Sequence, residues 1–158
     1  GRFSRGGFLA FRGRNVPRLE ALQSPPSCYV PAMTARTARC SCGKLEVRCA
    51  GAPASVSLCH CLECQRRTGS TYGIAAFYPR SAVEASGRAT AYTRASDSGH
   101  PVTFHFCPDC GSTVYWEPRR KPDFLAVAVG AFADPGFPEP GRSVYAQHRH
   151  GWVREPHG

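Results

Sequence analysis

Hydrophobic and polar residues alternate along several short stretches of the chain, a pattern typical of half-buried β-strands. The alternation is clearest in residues 44–49 and 102–106. Residues 124–129 are continuously apolar and end at Gly130, which predicts a strand buried at the centre of a sheet. Weaker stretches that also predict strands are residues 54–58, 74–78, 89–94, 113–117 and 144–147.

Glycine and proline separate these stretches, and no convincing amphipathic helix of about ten residues or more interrupts them. Short strands at this spacing predict an all-β fold of antiparallel sheets, which we assign to residues 34–158. A chain of 158 residues has room for one such domain with its own core.

Residues 1–33 differ from the rest of the chain in composition. They are rich in glycine, arginine and proline and lack a sustained hydrophobic period, which predicts a disordered N-terminal extension. The only methionine, Met33, stands directly before the cysteine-rich region. This favours Met33 as the natural start of the protein; the alternative is an arginine-rich targeting peptide.

No apolar run approaches the roughly 20 residues that a helix needs to cross a bilayer. The beginning of the chain also lacks the basic, apolar and small-residue succession of a secretory signal. We therefore expect a cytoplasmic protein with no membrane partner.

Nine cysteines are many for a chain of this size, and their spacing matters more than their number. A secreted disulfide scaffold usually spreads an even number of cysteines along the chain. Here seven are clustered at spacings of one or two residues, which suits convergence on a metal ion. The clusters are Cys40 with Cys42, then Cys59, Cys61 and Cys64, then Cys107 with Cys110.

The strongest single motif is Cys107-Pro-Asp-Cys110-Gly111, a zinc knuckle whose glycine tolerates a positive φ after the turn. It supplies two ligands, whereas a structural zinc ion takes four. Cys40 and Cys42 can supply the other two, because residues i and i+2 of an extended segment point the same way. A redox-active Cys-x-x-Cys is the alternative, but the strand-then-helix setting of thioredoxin-like folds is missing.

The remaining cluster, Cys59, Cys61 and Cys64, offers three thiolates, enough to hold a second zinc ion with one open position. An open position is what distinguishes catalytic from structural zinc. The alternative is a second structural site completed by a fourth ligand. The candidates are Cys49, His60, His105 and His148. Cys49 lies on the apolar face of its strand and is expected to be a buried structural thiol, and His60 points away from its neighbours if the segment is extended.

The formal net charge of +9 would suggest a nucleic-acid partner, but much of it lies outside the cysteine region. Residues 1–32 hold five arginines and one glutamate. In the rest of the chain, seven zinc-bound thiolates and two zinc ions would leave a net charge of about +2. A domain near that value has no strong electrostatic footprint for nucleic acid, so we do not expect a nucleic-acid partner.

Three motifs in order resemble the glutathione-dependent formaldehyde-activating enzyme family, which includes the centromere protein V-type domains. They are Cys40-Ser-Cys-Gly, Cys59-His-Cys-x-x-Cys-x-Arg-Arg-Thr-Gly69 and Phe106-Cys-x-x-Cys-Gly111, and the resemblance covers about residues 36–153. It implies an all-β, zinc-pinned fold of the Mss-four-like kind, shared with methionine-R-sulfoxide reductases. It also implies two zinc ions per chain, a structural one on Cys40, Cys42, Cys107 and Cys110 and a catalytic one on Cys59, Cys61 and Cys64.

The activity that this resemblance implies is carbon–sulfur lyase chemistry, joining glutathione and formaldehyde or cleaving their adduct. The candidate substrate-binding residues are Arg66, Arg67, Thr68 and Gly69. The two arginines could pair with the carboxylates of glutathione, although a solvated surface turn explains an Arg-Arg pair equally well. Glu63 and His60 are possible proton carriers by adjacency alone. One departure concerns substrate choice: the family often has a histidine shortly before its final tryptophan segment, where this chain has Ser143-Val144-Tyr145.

Two alternatives stay open on the sequence alone. One is a non-catalytic binding module for protein or nucleic acid, with both zinc ions structural. The other is sulfoxide reduction, suggested by fold analogy, which needs a nucleophilic cysteine outside the zinc sites. Only Cys28 and Cys49 remain for that role, and neither has a supporting context.

Overall fold

The computed structural model describes residues 35–154. The extension predicted at residues 1–33, Cys28 within it, and the last four residues lie outside the described residues. In the described range, no helix has the length and apolar character needed to span a membrane.

The described residues form two β-sheets and one short helix, which confirms the predicted all-β class. The strands are β1 (Arg36–Arg39), β2 (Glu46–Cys49), β3 (Ser55–Cys59), β4 (Gly73–Pro79), β5 (Val83–Ser86), β6 (Thr90–Arg94), β7 (Val102–Phe106), β8 (Thr113–Pro118), β9 (Phe124–Ala128) and β10 (Arg142–Val144). The helix α1 is Leu62–Thr68, and three single turns of 3₁₀ helix cover Arg80–Ala82, Val129–Phe132 and Ala146–His148.

The larger sheet has seven strands in the order β10-β3-β4-β9-β8-β7-β6, so the continuously apolar strand β9 is central, as predicted. Every pairing in this sheet is antiparallel except one. Strand β10 runs parallel to β3, with Val144 beside Cys59, which corrects the expectation of purely antiparallel sheets. This parallel edge carries the chain back to the cysteine-bearing end of β3.

The smaller sheet has the order β1-β2-β5, and its outer strands were not predicted. Of the four residues of β1 only Ala38 is buried, and β5 has no buried residue. A strand that buries so few apolar side chains gives little alternation, so its pairing with β2 leaves no clear sequence signal.

The last predicted strand, residues 144–147, is wrong. The strand ends at Val144, Tyr145 takes a left-handed conformation (φ 58°, ψ 41°), and a 3₁₀ turn follows at Ala146–His148. A residue with positive φ cannot continue a β-strand, so the chain turns away from the sheet at this point.

The main core joins both sheets. Its fully buried members include Leu45 and Val47 of the small-sheet side and Tyr78, Val114 and Val127 of the large sheet. Each fully buried aliphatic side chain of this kind contributes about 1.5–3 kcal/mol. A second cluster, Ala75, Phe104, Trp116 and Ala126, packs separately in the large sheet. Phe104 and Trp116 of this second cluster also border the cavity described below.

Candidate metal centres and active site

The sulfur atoms of the two predicted knuckles meet in one group. The Sγ atoms of Cys40, Cys42, Cys107 and Cys110 all lie within 4.8 Å of one another. The Sγ atom of Cys42 is 3.5 Å from that of Cys40 and 3.6 Å from that of Cys107. Four sulfurs held tetrahedrally at about 2.3 Å from zinc would lie about 3.8 Å apart. The donor set and its spacing therefore fit a four-thiolate zinc ion.

The two knuckles have matching backbones. Gly43 and Gly111 follow them with φ of 75° and 74°, which explains a glycine at both places. Their amides donate to the carbonyl oxygens of Cys40 at 3.0 Å and of Cys107 at 2.8 Å. The amide of Leu45 also donates to the Cys40 sulfur at 3.2 Å.

Contacts outside the sulfurs hold one knuckle against the other. The hydroxyls of Ser41 and Ser112 are 2.8 Å apart. Asp109 accepts from Lys44 at 2.8 Å and from Arg88 at 2.9 Å. The hydrogen bond from Lys44 is the main reason that the pKa of Asp109 lies below its ordinary value. The Ser41–Ser112 and Lys44–Asp109 contacts tie the Cys40–Cys42 knuckle to the Cys107–Cys110 knuckle at the protein surface.

The second group of sulfurs is built at the junction of β3 and α1. The Sγ atoms of Cys59, Cys61 and Cys64 lie within 4.8 Å of one another. Cys59 ends β3, Cys61 is the N-cap of α1, and its sulfur accepts from the amide of Cys64 at 3.4 Å. One helical turn thus returns Cys64 to Cys61, a geometry that the sequence pattern did not reveal because α1 has only seven residues.

The three clustered thiols compete for negative charge. Hydrogen bonds from Cys59 and then Cys64 hold the pKa of Cys61 well below its usual range, and the positive charge of Arg94 acts in the same direction. The pKa of Cys59 is raised, first by its hydrogen bond with Cys61. Without a metal ion, the negative charge is therefore concentrated on one sulfur of the group. A divalent cation would instead stabilise all three as thiolates.

Within residues 35–154 no fourth cysteine, histidine or carboxylate completes this group. Cys49 is fully buried in the main core, as expected for a structural thiol. His105 lies 2.8 Å from Glu117 and stacks on Tyr115 at 4.4 Å between ring centroids. His60 is fully buried, and its ring lies edge-on to that of Tyr72. The backbone carbonyl of His148 accepts a hydrogen bond from the Gln65 side chain.

The three cysteines line a cavity of about 330 Å³, within the range typical of small-molecule sites. Aromatic side chains contribute to its walls: Phe77, Phe104, Trp116 and Tyr145. Four cationic side chains also line it: Arg94, Arg120, Lys121 and Arg142. The acidic side chain among the lining residues is Asp97. The cavity therefore combines soft metal ligands, an apolar wall and an excess of positive charge.

Three of these cations crowd together. The pKa of Lys121 is lowered, first by burial and then by the positive charges of Arg142 and Arg120. Its ammonium lies 4.8 Å from the ring centroid of Phe77, which holds it at the cavity wall. Cations that repel one another in this way attract an anionic ligand, because its negative charge relieves their repulsion.

The four residues predicted to bind substrate lie beside this cavity rather than in its lining. Arg66 forms an ion pair with Glu63 on the exposed side of α1. Arg67 stacks over Trp116, 4.6 Å from the ring centroid, and borders a neighbouring cavity. The hydroxyl of Thr68 donates to the carbonyl oxygen of Cys64 at 2.8 Å, and Gly69 ends α1 with φ of 63°.

Sequence reasoning did not find Tyr145 or the four cations of the lining, Arg94, Arg120, Lys121 and Arg142, which we call the cationic wall. The four cations come from three separate segments, and none belongs to a motif. Only the topology of the large sheet, which brings β10 beside β3 and sets residues 95–101 and 119–121 near them, places these side chains around one space.

Comparisons with known proteins agree with the fold and with the resemblance. Residues 35–148 match the family model described as glutathione-dependent formaldehyde-activating enzyme. A crystal structure of a Rhodobacter sphaeroides protein, a structural-genomics target, superposes with a TM-score of 0.52 at 22% identity. The superposition covers 68% of this chain and 98% of that chain, and it concerns the fold alone. A comparison with curated proteins gives no match.

Proposed function

Because the chain belongs to the glutathione-dependent formaldehyde-activating enzyme family, we propose that it joins an anionic thiol such as glutathione to an aldehyde such as formaldehyde, or cleaves their adduct, as a zinc-dependent carbon–sulfur lyase. One observation carries this proposal beyond the family. Three sulfurs without a fourth ligand in the described chain line a cavity that also carries four cations.

The chemistry divides between the metal and the side chains around it. A zinc ion on three thiolates supplies Lewis acidity and lowers the pKa of a bound thiol. Cys59, Cys61 and Cys64 would hold that ion at one side of the cavity. The aromatic wall of Phe104 and Trp116 removes water from the reacting groups, which strengthens every electrostatic interaction inside.

Positive charge in the cavity lining is suited to a thiol that carries carboxylates. Arg120, Lys121 and Arg142 could each donate charge-assisted hydrogen bonds to a carboxylate oxygen. The anchoring role predicted for Arg66 and Arg67 stays a proposal. Arg66 would have to leave Glu63, and Arg67 its stack on Trp116, before either could turn to the cavity.

We expect Arg142→Gln to raise the KM for glutathione about 10-fold, the cost of one charged hydrogen bond, and Arg120→Gln to act similarly. The KM for a small neutral thiol such as 2-mercaptoethanol should hardly change. The matched control is Arg48→Gln, since Arg48 is exposed on β2 in the other sheet. Rates of adduct formation above the uncatalysed reaction, followed by NMR exchange spectroscopy, provide the measurement.

A protein that gives no rate above background and binds no glutathione would contradict the enzyme proposal and favour the non-catalytic module. Equal changes for glutathione and the neutral thiol would leave the lyase activity standing but remove the cationic wall as the group that recognises the thiol.

A further inference from the structure

The proposed reaction needs a proton at the aldehyde oxygen, and the two neighbours of the cysteines do not supply it. Glu63 pairs with Arg66 and borders the second cavity. His60 is fully buried and lies outside the lining of the cavity that Cys59, Cys61 and Cys64 line, called the thiol cavity below. The proton donor must therefore be sought among the side chains that the fold brings to the cavity from elsewhere in the sequence.

Tyr145 stands out by its backbone. It is one of two non-glycine residues with positive φ in the described chain, the other being Ala133. A bulky residue in this conformation costs about 1–2 kcal/mol. The surrounding structure imposes it: Val144 pairs with Cys59 and accepts from the amide of His60 at 3.0 Å, and the carbonyl of Tyr145 accepts from His148 at 3.0 Å.

This strained backbone directs the Tyr145 side chain into the cavity that the three cysteines line. The side chain is half-buried, and its hydroxyl makes no hydrogen bond to another residue in the range that the structure describes. Burial, then the negative charge of Asp97, raises the pKa of Tyr145, so the phenol keeps its proton at neutral pH. A half-buried phenol with an unused donor therefore lines the same cavity as the three thiols.

The cavity lining also contains an aspartate and a histidine, residue types that often act as general acids or bases. Asp97 and His100 both lie between β6 and β7, and both are exposed to solvent. A hydrogen-bond donor held in a partly buried site stabilises a developing oxyanion better than one in water, because the local dielectric is lower. Tyr145 is therefore better suited than Asp97 or His100 to donate a proton to the aldehyde oxygen.

We propose that Tyr145 is a catalytic residue that gives its phenolic proton to the aldehyde oxygen, an inference that rests on the proposed lyase function. In the forward direction the thiolate sulfur attacks the carbonyl carbon. The C–S bond forms, the carbonyl π pair moves to oxygen, and that oxygen takes the proton of Tyr145. The tyrosinate then regains from water the proton that the thiol lost on ionising, so thiol plus aldehyde gives the hydroxyalkyl thioether.

The first test compares Tyr145→Phe with Tyr92→Phe, which alters an exposed tyrosine outside the thiol cavity. The Tyr145 variant should lower kcat about 100-fold, the usual contribution of one general acid, with the KM for glutathione and the zinc content unchanged. The Tyr92 variant should behave as the parent. An active parent with an unaffected Tyr145→Phe variant would overturn the role of Tyr145 alone. An inactive parent would overturn the lyase proposal and this inference with it.

A second test does not need turnover. S-(2-hydroxyethyl)glutathione is a stable analogue whose hydroxyl lies one carbon further from sulfur than that of the adduct, and S-ethylglutathione lacks the hydroxyl. The parent should bind the first about 3- to 10-fold more tightly than Tyr145→Phe does, whereas both proteins should bind the second equally. Equal binding of both ligands by both proteins would show that the Tyr145 hydroxyl does not contact the ligand hydroxyl.

A third variant separates catalysis from folding. Tyr145→Gly removes the phenol and relieves the positive-φ strain, so thermal stability should hold or rise while kcat falls as in Tyr145→Phe. A structural role alone would give the opposite result, a loss of stability with kcat retained in the folded fraction.

Discussion

Cys49 shares its residue type with the clustered cysteines but belongs to neither group of sulfurs. It is fully buried among apolar side chains, and burial raises the pKa of its thiol to about 11. A thiol that stays protonated and inaccessible is neither a good ligand nor a good nucleophile. This environment also argues against the sulfoxide-reductase alternative as far as Cys49 is concerned.

We expect Cys49→Ala to keep the full zinc content and to lower the free energy of unfolding by about 1 kcal/mol, the cost of a small cavity. The matched variant Cys61→Ala should lose one zinc ion per chain. Metal analysis and urea unfolding give both quantities. Loss of zinc from the Cys49 variant would place that thiol in a metal site and contradict the account.

Among the elements, those with strong alternation were predictable and those formed by tertiary contacts were not. Strands β2 and β9 follow from their own side chains, since they bury two and three apolar residues, and β7 follows from the alternation around its one buried residue, Phe104. The short helix α1 depends instead on the Cys61 N-cap and on Gly69 at its end. A seven-residue helix is marginal by itself, so its sequence carries little helical signal.

Gln65 shows how α1 organises the site. Its amide nitrogen donates to the carbonyl oxygens of His60 at 2.8 Å and His148 at 3.1 Å, and its amide oxygen lies 3.1 Å from a ring nitrogen of His150. One side chain on the helix therefore joins the cysteine segment to the chain that follows β10 and Tyr145.

We expect Gln65→Leu to lower the free energy of unfolding by about 2 kcal/mol, since part-buried carbonyl oxygens lose their donor. It should also lower kcat, because the segment that positions Tyr145 is released. Gln147→Leu, at an exposed position in the neighbouring 3₁₀ turn, is the control. Urea unfolding of both variants checks this, and equal stabilities would mean that the link contributes nothing.

For the whole molecule, local spacing predicted which cysteines could share an ion, while the space above them could not be predicted. Cys40 and Cys42 meet a knuckle 65 residues away, a pairing suggested only by the need for four ligands. No comparable ligand count predicts that the cationic wall and Tyr145 lie together. The long-range pairing of β3 with β10 and with the rest of the large sheet positions these side chains. Such pairing leaves no local pattern in the sequence.

The two cysteine groups differ in how much of the chain they join. The four-cysteine group joins the chain around β1 and β2 to the turn between β7 and β8, so it closes a long loop. The three-cysteine group lies within six residues and closes none of comparable length. Removing the second group should therefore leave the fold in place.

The most direct measurement is zinc per chain and glutathione binding for the parent and for a variant with Cys59, Cys61 and Cys64 all changed to serine. The account predicts two zinc ions in the parent, one for each cysteine group, and one in the folded variant. Glutathione should bind to the parent alone. Two zinc ions in a parent that binds no glutathione, together with collapse of the variant's fold, would contradict the claim that the second site is an open, reactive one.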